Sequence, residues 1–146
     1  MNLGQRGETL IKKIESLSLT SYKKSEKDPW TIGWGHTAGV HEGMTITEAA
    51  AEILFKSDVA DSEKAVNDLC LNMTQSMFDA LVSLCFNVGP RAISGRSTIG
   101  RALRRKQWIE AWQGFSLWVR TNNMELGQSR RRALEMILFL ADGWPN

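Results

Sequence analysis

The sequence predicts a mainly α-helical (α+β) fold with one small β-hairpin, built as a single domain. Apolar residues recur at three- and four-residue intervals in several segments, and this is the period of an amphipathic helix. Between residues 19 and 34 the pattern instead changes to a period of two, which is typical of strands. At 146 residues, the chain is long enough for one hydrophobic core and short for two independent ones.

The first helix is predicted over roughly the first 17 residues, where Leu10, Ile11, Ile14 and Leu17 share one face. Glu15 falls near its C-terminal end. The helix dipole is negative there, so it disfavours ionisation of a carboxylate. Because a general acid must hold its proton, Glu15 is a candidate for that role. A single glutamate in this position is, however, more often a solvated surface residue.

The β-hairpin is predicted from Leu19 to Tyr22 and from Trp30 to Trp34, with KKSEKDP as its turn. Charged residues in such a turn, here Glu26 and Asp28, are most often turn formers exposed to solvent. Thr31 on the second strand is most often only a residue that favours β-structure. Spacing alone therefore assigns no chemistry to the hairpin.

Five further helices are predicted after the hairpin. The first of them is long and could join an N-terminal lobe, about residues 1–60, to a helical C-terminal lobe, about residues 61–146. The next, MFDALVSLCFNVG, is apolar in nearly every direction, which places it at the centre of the core. The last, SRRRALEMILFLA, is expected to turn Ala133, Leu134, Ile137 and Leu138 inward.

Two cysteines, Cys70 and Cys85, lie among apolar residues, so free buried thiols are predicted rather than a disulfide. The N-terminus has no apolar stretch long enough for a signal peptide or membrane anchor. We therefore expect the protein to be held in the cytoplasm where it is made. An outside target would then require another factor for delivery.

The net charge of +2 hides an uneven distribution along the chain. Residues 1–90 carry 8 basic and 12 acidic side chains, whereas residues 91–146 carry 10 and 4. A basic C-terminal part attracts polyanions, whether nucleic acid, acidic lipid or cell-wall polymer. Arg104–Lys106 and Arg130–Arg132, taken with six tryptophans, would suit nucleic acid. Because Trp108, Trp112 and Trp118 follow the spacing of a helical core, we expect no nucleic-acid partner.

Several reaction classes lack their sequence signatures. The chain contains no P-loop, dinucleotide fingerprint or GxSxG motif, and neither cysteine has a catalytic context. His36 and His41 have no cysteine or carboxylate at a familiar ligand spacing. We therefore predict no metal site and no cofactor.

An ordered set of motifs resembles the phage-type lysozymes, the endolysin muramidases of double-stranded DNA phages. The set begins with Glu15, Tyr22 and TIGWGHT, and continues through GMTIT, FNVG, KQWIEA and the Arg-rich start of the last helix. The resemblance implies two lobes with a cleft for the peptidoglycan glycan strand. It also implies hydrolysis of the β-1,4 bond between N-acetylmuramic acid and N-acetylglucosamine. The expected protein is a monomer that a holin or comparable route releases from the host cytoplasm to the periplasm or cell wall.

The resemblance also implies roles for individual residues. Glu15 is the general acid that protonates the leaving oxygen, and Thr31 helps to position the attacking water. Arg131, or a neighbour in the same run, contacts the catalytic glutamate. Asn87 binds sugar, and His36 is mainly structural.

One departure from the family pattern lies in the hairpin turn. The family aspartate position is Lys24, and the turn is one residue longer. Glycoside hydrolysis usually needs a second carboxylate, and a lysine cannot replace it. Three hypotheses follow: Glu26, or less favourably Asp28, takes the role; Glu15 acts alone, as in a lytic transglycosylase; or the protein binds peptidoglycan with little turnover. The first is preferred, so Glu26 is the predicted second catalytic residue.

Overall fold

The computed structural model describes residues 1–119 and 125–146, and it confirms the mainly α-helical class with one β-hairpin. Short 3₁₀ turns lie at Pro90–Ile93 and Phe115–Leu117. The main elements, in chain order, are α1 (Gln5–Glu15), β1 (Ser18–Tyr22), β2 (Thr31–Gly33), α2 (Glu48–Asn67), α3 (Gln75–Val88), α4 (Thr98–Arg104), α5 (Trp108–Gly114) and α6 (Glu125–Leu140).

The two strands form an antiparallel sheet in which Ser18 lies opposite Gly33 and Tyr22 opposite Thr31. The chain that follows the hairpin adds to its other edge, where the Ser21 N–H donates to the carbonyl of Met44 at 2.8 Å. This pairing covers backbone groups of β1 that would otherwise form an open edge.

The centre of the core is α3, as predicted. Every side chain from Ser76 to Cys85 on this helix is buried. The neighbouring helices α1, α2 and α6 pack around it. Each large apolar side chain removed from water here contributes about 1.5–3 kcal/mol. The lobe boundary expected near residue 60 falls inside α2, and the division into lobes stays a prediction.

The helix α6 turns a different face to the core than the one predicted. Ala133 and Leu134 are exposed, and Ile137 is 67% exposed, so only Leu138 of the predicted four is buried. The prediction from the apolar pattern is wrong because this helix buries charged residues that form ion pairs with one another, which periodicity does not anticipate. The residues that face inward are Arg131, Arg132, Glu135, Leu138 and Phe139.

The cysteine prediction is half correct. Both thiols are free and Cys85 is buried, but Cys70 is exposed. Cys70 adopts a φ of 52° just after α2, and its N–H donates to the carbonyl of Asn67. In that turn the flanking Leu69 and Leu71 contact the core, and Cys70 between them points to solvent.

Candidate active site

Glu15 is the last residue of α1, and its carboxylate enters a cavity of about 290 Å³. The chain leaves the helix there because Ser16 takes a φ of 59° with a ψ of 149°. The Glu15 side chain is 16% exposed, so it reaches solvent only through the cavity. The residues that line this cavity are Glu15, Gly35, Asp58, Ser62, Phe86 and Asn87.

Gly35 brings the turn after β2 directly against the Glu15 carboxylate. The turn closes through reciprocal backbone hydrogen bonds of 2.9 Å between Ile32 and His36. Gly35 has a φ of +95°, and a Cβ placed on it would lie 3.2 Å from Glu15 Oε2. A side chain at this position would therefore meet both backbone strain and the carboxylate.

Lys12 fixes the same end of α1 against α2. Its Nζ donates to Glu8 at 2.6 Å and to Glu52 at 2.7 Å, and it lies 4.3 Å from the ring centre of Trp34. Burial acts to lower the pKa of Lys12, but the hydrogen bonds to Glu52 and Glu8 outweigh it, so the pKa is raised. Lys12 thus links α1, α2 and the segment after β2 around the cavity.

Arg131 on α6 binds the Glu15 carboxylate. Its Nη1 donates to Glu15 Oε1 at 2.5 Å, and its side chain is only 4% exposed. The Nε of the same guanidinium donates to Glu135 Oε1 at 3.2 Å. Ser83 on α3 donates its hydroxyl to that same oxygen at 2.7 Å.

Arg132 extends this arrangement to the sugar-binding candidate Asn87. Its Nη2 donates to Asn87 Oδ1 at 2.7 Å and to Glu135 Oε1 at 3.2 Å. Its Nε lies 2.9 Å from Glu135 Oε2, a distance suited to an ion pair, although the angles do not make a hydrogen bond. We call Ser83, Arg131, Arg132 and Glu135 the buried charge cluster.

Burial alters the pKa values of groups in and beside the buried charge cluster. Desolvation raises the pKa of Glu135, while Arg132, Ser83 and Arg131 oppose that rise. Desolvation lowers the pKa of Arg132 to about 10, so the side chain still carries its charge at neutral pH. Burial, and then the charge of Glu135, raise the pKa of Cys85 to about 12, which makes it a neutral thiol.

His36 connects the turn after β2 to α2. Its Nδ1 lies 2.9 Å from both carboxylate oxygens of Asp58, and its Nε2 lies 2.9 Å from the carbonyl of Ala38. Both ring nitrogens therefore have oxygen partners, and the ring orientation is fixed. Asp58 itself lines the cavity, so it places a second carboxylate there beside Glu15.

The structure brings together three of the five predicted site residues. Glu15, Arg131 and Asn87 meet through the cavity and the buried charge cluster. Thr31 is nearly buried on β2, and its hydroxyl donates to the carbonyl of Pro29 at 3.2 Å. Glu26 is exposed in the hairpin turn. Neither Thr31 nor Glu26 belongs to the described lining of the cavity, and their roles stay predictions.

Sequence reasoning missed Glu135 and Asp58, and it named Arg132 only as a member of the Arg130–Arg132 run. The spacing of four residues from Arg131 to Glu135 on a helix was an available signal, because such residues are neighbours on its surface. Asp58 had no such signal, since only the fold places α2 beside the turn after β2.

The two basic runs do not form one exposed surface. Arg131 and Arg132 are buried in the cluster, and Arg104 donates to the carbonyls of Ile93 and Gly100. Within the described residues, no helix is long and apolar enough to cross a bilayer. No group of three or more histidine, cysteine, aspartate or glutamate side chains in that same part of the chain could hold a metal ion.

Comparisons with known proteins agree with this arrangement. The sequence model of the family described as Phage lysozyme matches residues 12–135. The endolysin of Salmonella phage P22 is 36% identical over 147 residues, covering 97% of this chain and 99% of its own length. The endolysin of Bacillus phage B103 is 37% identical over 144 residues, covering 96% of this chain, which spans only 54% of that relative.

Solved structures show the same likeness. The muramidase domain of SpmX from Asticaccaulis excentricus has a TM-score of 0.84 and 35% identity, covering 96% of this chain and 98% of that one. The fold, the glutamate in its cavity and these likenesses define a lysozyme-type glycoside hydrolase. This chain belongs to the phage lysozyme family.

Proposed function

We propose that this protein is a peptidoglycan lysozyme that hydrolyses the β-1,4 bond between N-acetylmuramic acid and N-acetylglucosamine, with Glu15 as the general acid. The observation that carries the proposal is the Glu15 carboxylate, held by Arg131 in a cavity open to solvent. Family membership supplies the substrate class.

The reaction begins with proton transfer from Glu15 to the leaving glycosidic oxygen. Gly35 leaves space next to the carboxylate, and Arg131 fixes its orientation. Asn87 faces the same cavity, and Arg132 occupies its carbonyl oxygen. The amide NH₂ of Asn87 is therefore the group we assign to donate to a sugar hydroxyl. Thr31 is assigned to position the attacking water.

The second carboxylate has two candidates. Glu26 lies in the lengthened hairpin turn, close in sequence to the position that carries the family aspartate. Asp58 is favoured by its place in the cavity, although His36 already binds both of its oxygens. We assign the role to Glu26 and treat Asp58 as the competing residue.

Turbidity clearing of outer-membrane-stripped Gram-negative cells tests the enzyme assignment. Glu15→Gln is expected to clear about 10²–10⁴-fold more slowly than the parent, the usual contribution of a general acid. Equal rates for the two proteins would refute hydrolysis by Glu15 and favour a peptidoglycan-binding protein. Mass spectrometry of the released muropeptides should show reducing ends. Anhydro ends would instead identify a lytic transglycosylase.

Three variants separate the candidates for the second carboxylate. Glu26→Gln is expected to slow clearing, whereas Asp58→Asn should slow it no more than His36→Gln, which breaks the same ion pair and keeps the aspartate. A rate that falls for Asp58→Asn alone would move the role to Asp58.

We also propose that the protein is a monomer held in the host cytoplasm until a holin or comparable route gives it access to the wall. The family's action on peptidoglycan supports the final destination. Sedimentation velocity should give one species near 16.4 kDa. Lysis of cells that express the protein should depend on coexpression of a holin.

A further inference from the structure

We infer that Glu135 is a positioning residue for the hydrolysis, which holds Arg131 in place and offsets its charge so that Glu15 can act as an acid. This inference rests on the proposed function. It assigns a task to a fully buried glutamate that does not touch the cavity.

One guanidinium is shared by two carboxylates. Arg131 donates from Nη1 to Glu15 and from Nε to Glu135, so its orientation is fixed at both ends. The Glu135 oxygen that accepts a hydrogen bond from Arg131 also accepts one from the Ser83 hydroxyl. This second bond fixes Glu135 against α3. Movement of Glu135 would therefore move the group that holds the general acid.

The charges raise a difficulty that Glu135 resolves. An arginine in contact with a carboxylate favours the ionised form, whereas a general acid must be protonated. Two buried arginines lie on this side of Glu15, and Glu135 contacts both of them. Its negative charge opposes their pull on the proton of Glu15. Charges in a buried site are weakly screened, so the effect reaches across one guanidinium.

Other elements also present charged or titratable groups to this region. Helix α1 presents Lys13 and Lys12. Lys12 is paired with Glu8 and Glu52. Asp58, which lines the cavity, pairs with His36. On α3, Cys85 is a neutral thiol. None of these groups contacts Glu135 through a hydrogen bond or ion pair in the described structure, so substitution of Glu135 leaves their pairing intact.

Glu135 also connects the acid to the sugar-binding candidate. The Nη2 of Arg132 donates both to Glu135 and to Asn87. A single carboxylate thus supports both arginines, one directed to the proton donor and one to the amide. A buried ion cluster often contributes no more stability than apolar residues of similar volume, which leaves room for a functional role.

The test compares the pH–activity profiles of the parent and Glu135→Gln, which keeps the shape and removes the charge. We expect kcat to fall and the alkaline limb to move to lower pH by about one unit or more, since Glu15 is then the remaining carboxylate partner of Arg131 and the charge of Arg132 is no longer offset. Glu135→Asp retains the charge with a shorter side chain. It should keep the parental limb, with a several-fold lower kcat because Arg131 is held less well.

The matched control is Asp79→Asn, which alters a second buried carboxylate, this one on α3. Asp79 accepts hydrogen bonds from the backbone N–H groups of Gly4 and Gly7, away from the cavity. This variant should lose stability but keep the alkaline limb of the parent.

An unshifted limb in folded Glu135→Gln would overturn the inference. If that variant does not fold, Glu135→Asp decides, and a parental kcat would count against the positioning role. These outcomes differ from failure of the proposed function, in which the parent itself clears no faster than Glu15→Gln. A shift of the same size in Asp79→Asn would show that general loosening, rather than the Glu135 charge, moves the limb.

Discussion

Glu15 and the hairpin turn that carries Glu26 differ in how the structure holds them. The buried charge cluster fixes Glu15 with a hydrogen bond from Arg131 on α6, and its members are almost wholly removed from solvent. The hairpin turn, residues 23–29, is exposed throughout. Its internal side-chain contact is a hydrogen bond of 2.8 Å from Ser25 to Asp28.

This difference indicates where the chain tolerates change. An exposed turn accepts an extra residue or a changed charge because it has little packing to lose. The resemblance to the phage-type lysozymes implies both changes here, with Lys24 at the family aspartate position. A buried cluster has no such freedom, since removal of one member leaves its partner with fewer compensating contacts in a dry site.

The largest expected effect is therefore in the buried charge cluster. Arg132→Met should lower the free energy of unfolding by about 3–5 kcal/mol, because Glu135 loses an ionic partner in a dry site. Urea denaturation followed by circular dichroism measures this change. The matched control is Arg130→Met, which alters an exposed arginine on the same helix and should stay within about 0.5 kcal/mol. Equal losses in the two variants would remove the proposed contrast.

The same contrast explains what the sequence could predict. The hairpin, the central helix and Glu15 at the end of α1 follow from hydrophobic period and from motifs, which are local properties. The inward face of α6 does not follow, because Arg131, Arg132 and Glu135 are buried as an ion-paired set. Their partner Ser83 lies on another helix, and its proximity depends on tertiary packing.

Local motifs also left the second carboxylate open. Glu26 is predicted from its position in the turn, whereas Asp58 reaches the cavity because α2 packs against β2 in the fold. No spacing along the chain encodes that packing. Site residues on a helix that is distant in sequence are therefore the hardest to predict from the sequence alone.

A substitution of Gly35 tests whether the position of the Glu15 carboxylate depends on the backbone conformation as well as on charge. Gly35→Ala should lower the free energy of unfolding by about 1–3 kcal/mol, the usual range for a strained backbone conformation. Its Cβ would also press on Glu15 Oε2, so clearing activity should fall about 10- to 100-fold. Thermal unfolding and turbidity clearing measure the two effects. Gly39→Ala, at a φ of +69° in open space, is the control for strain without contact and should largely retain activity.

A substitution of Ser16, next to Glu15, is expected to raise the free energy of unfolding instead of lowering it. Its φ of 59° and ψ of 149° belong to a region that only glycine adopts easily. Ser16→Gly should therefore raise the free energy of unfolding by about 1 kcal/mol. In the exposed interior of α2, Ser57→Gly should instead lower it, because glycine is a poor helix former. A loss of stability in both variants would show that Ser16 is not strained.

The smallest effect on stability is expected in the turn. Lys24→Asp should change the free energy of unfolding by less than about 0.5 kcal/mol, because the side chain is exposed. Clearing should become faster, by less than about tenfold, since an exposed carboxylate stabilises the sugar cation only through solvent-screened attraction. Lys27→Asp makes the same charge change elsewhere in the turn and should give a smaller gain. Equal gains would indicate an effect of net charge on wall binding, whereas no gain in either would mean that the lengthened turn no longer directs position 24 at the substrate.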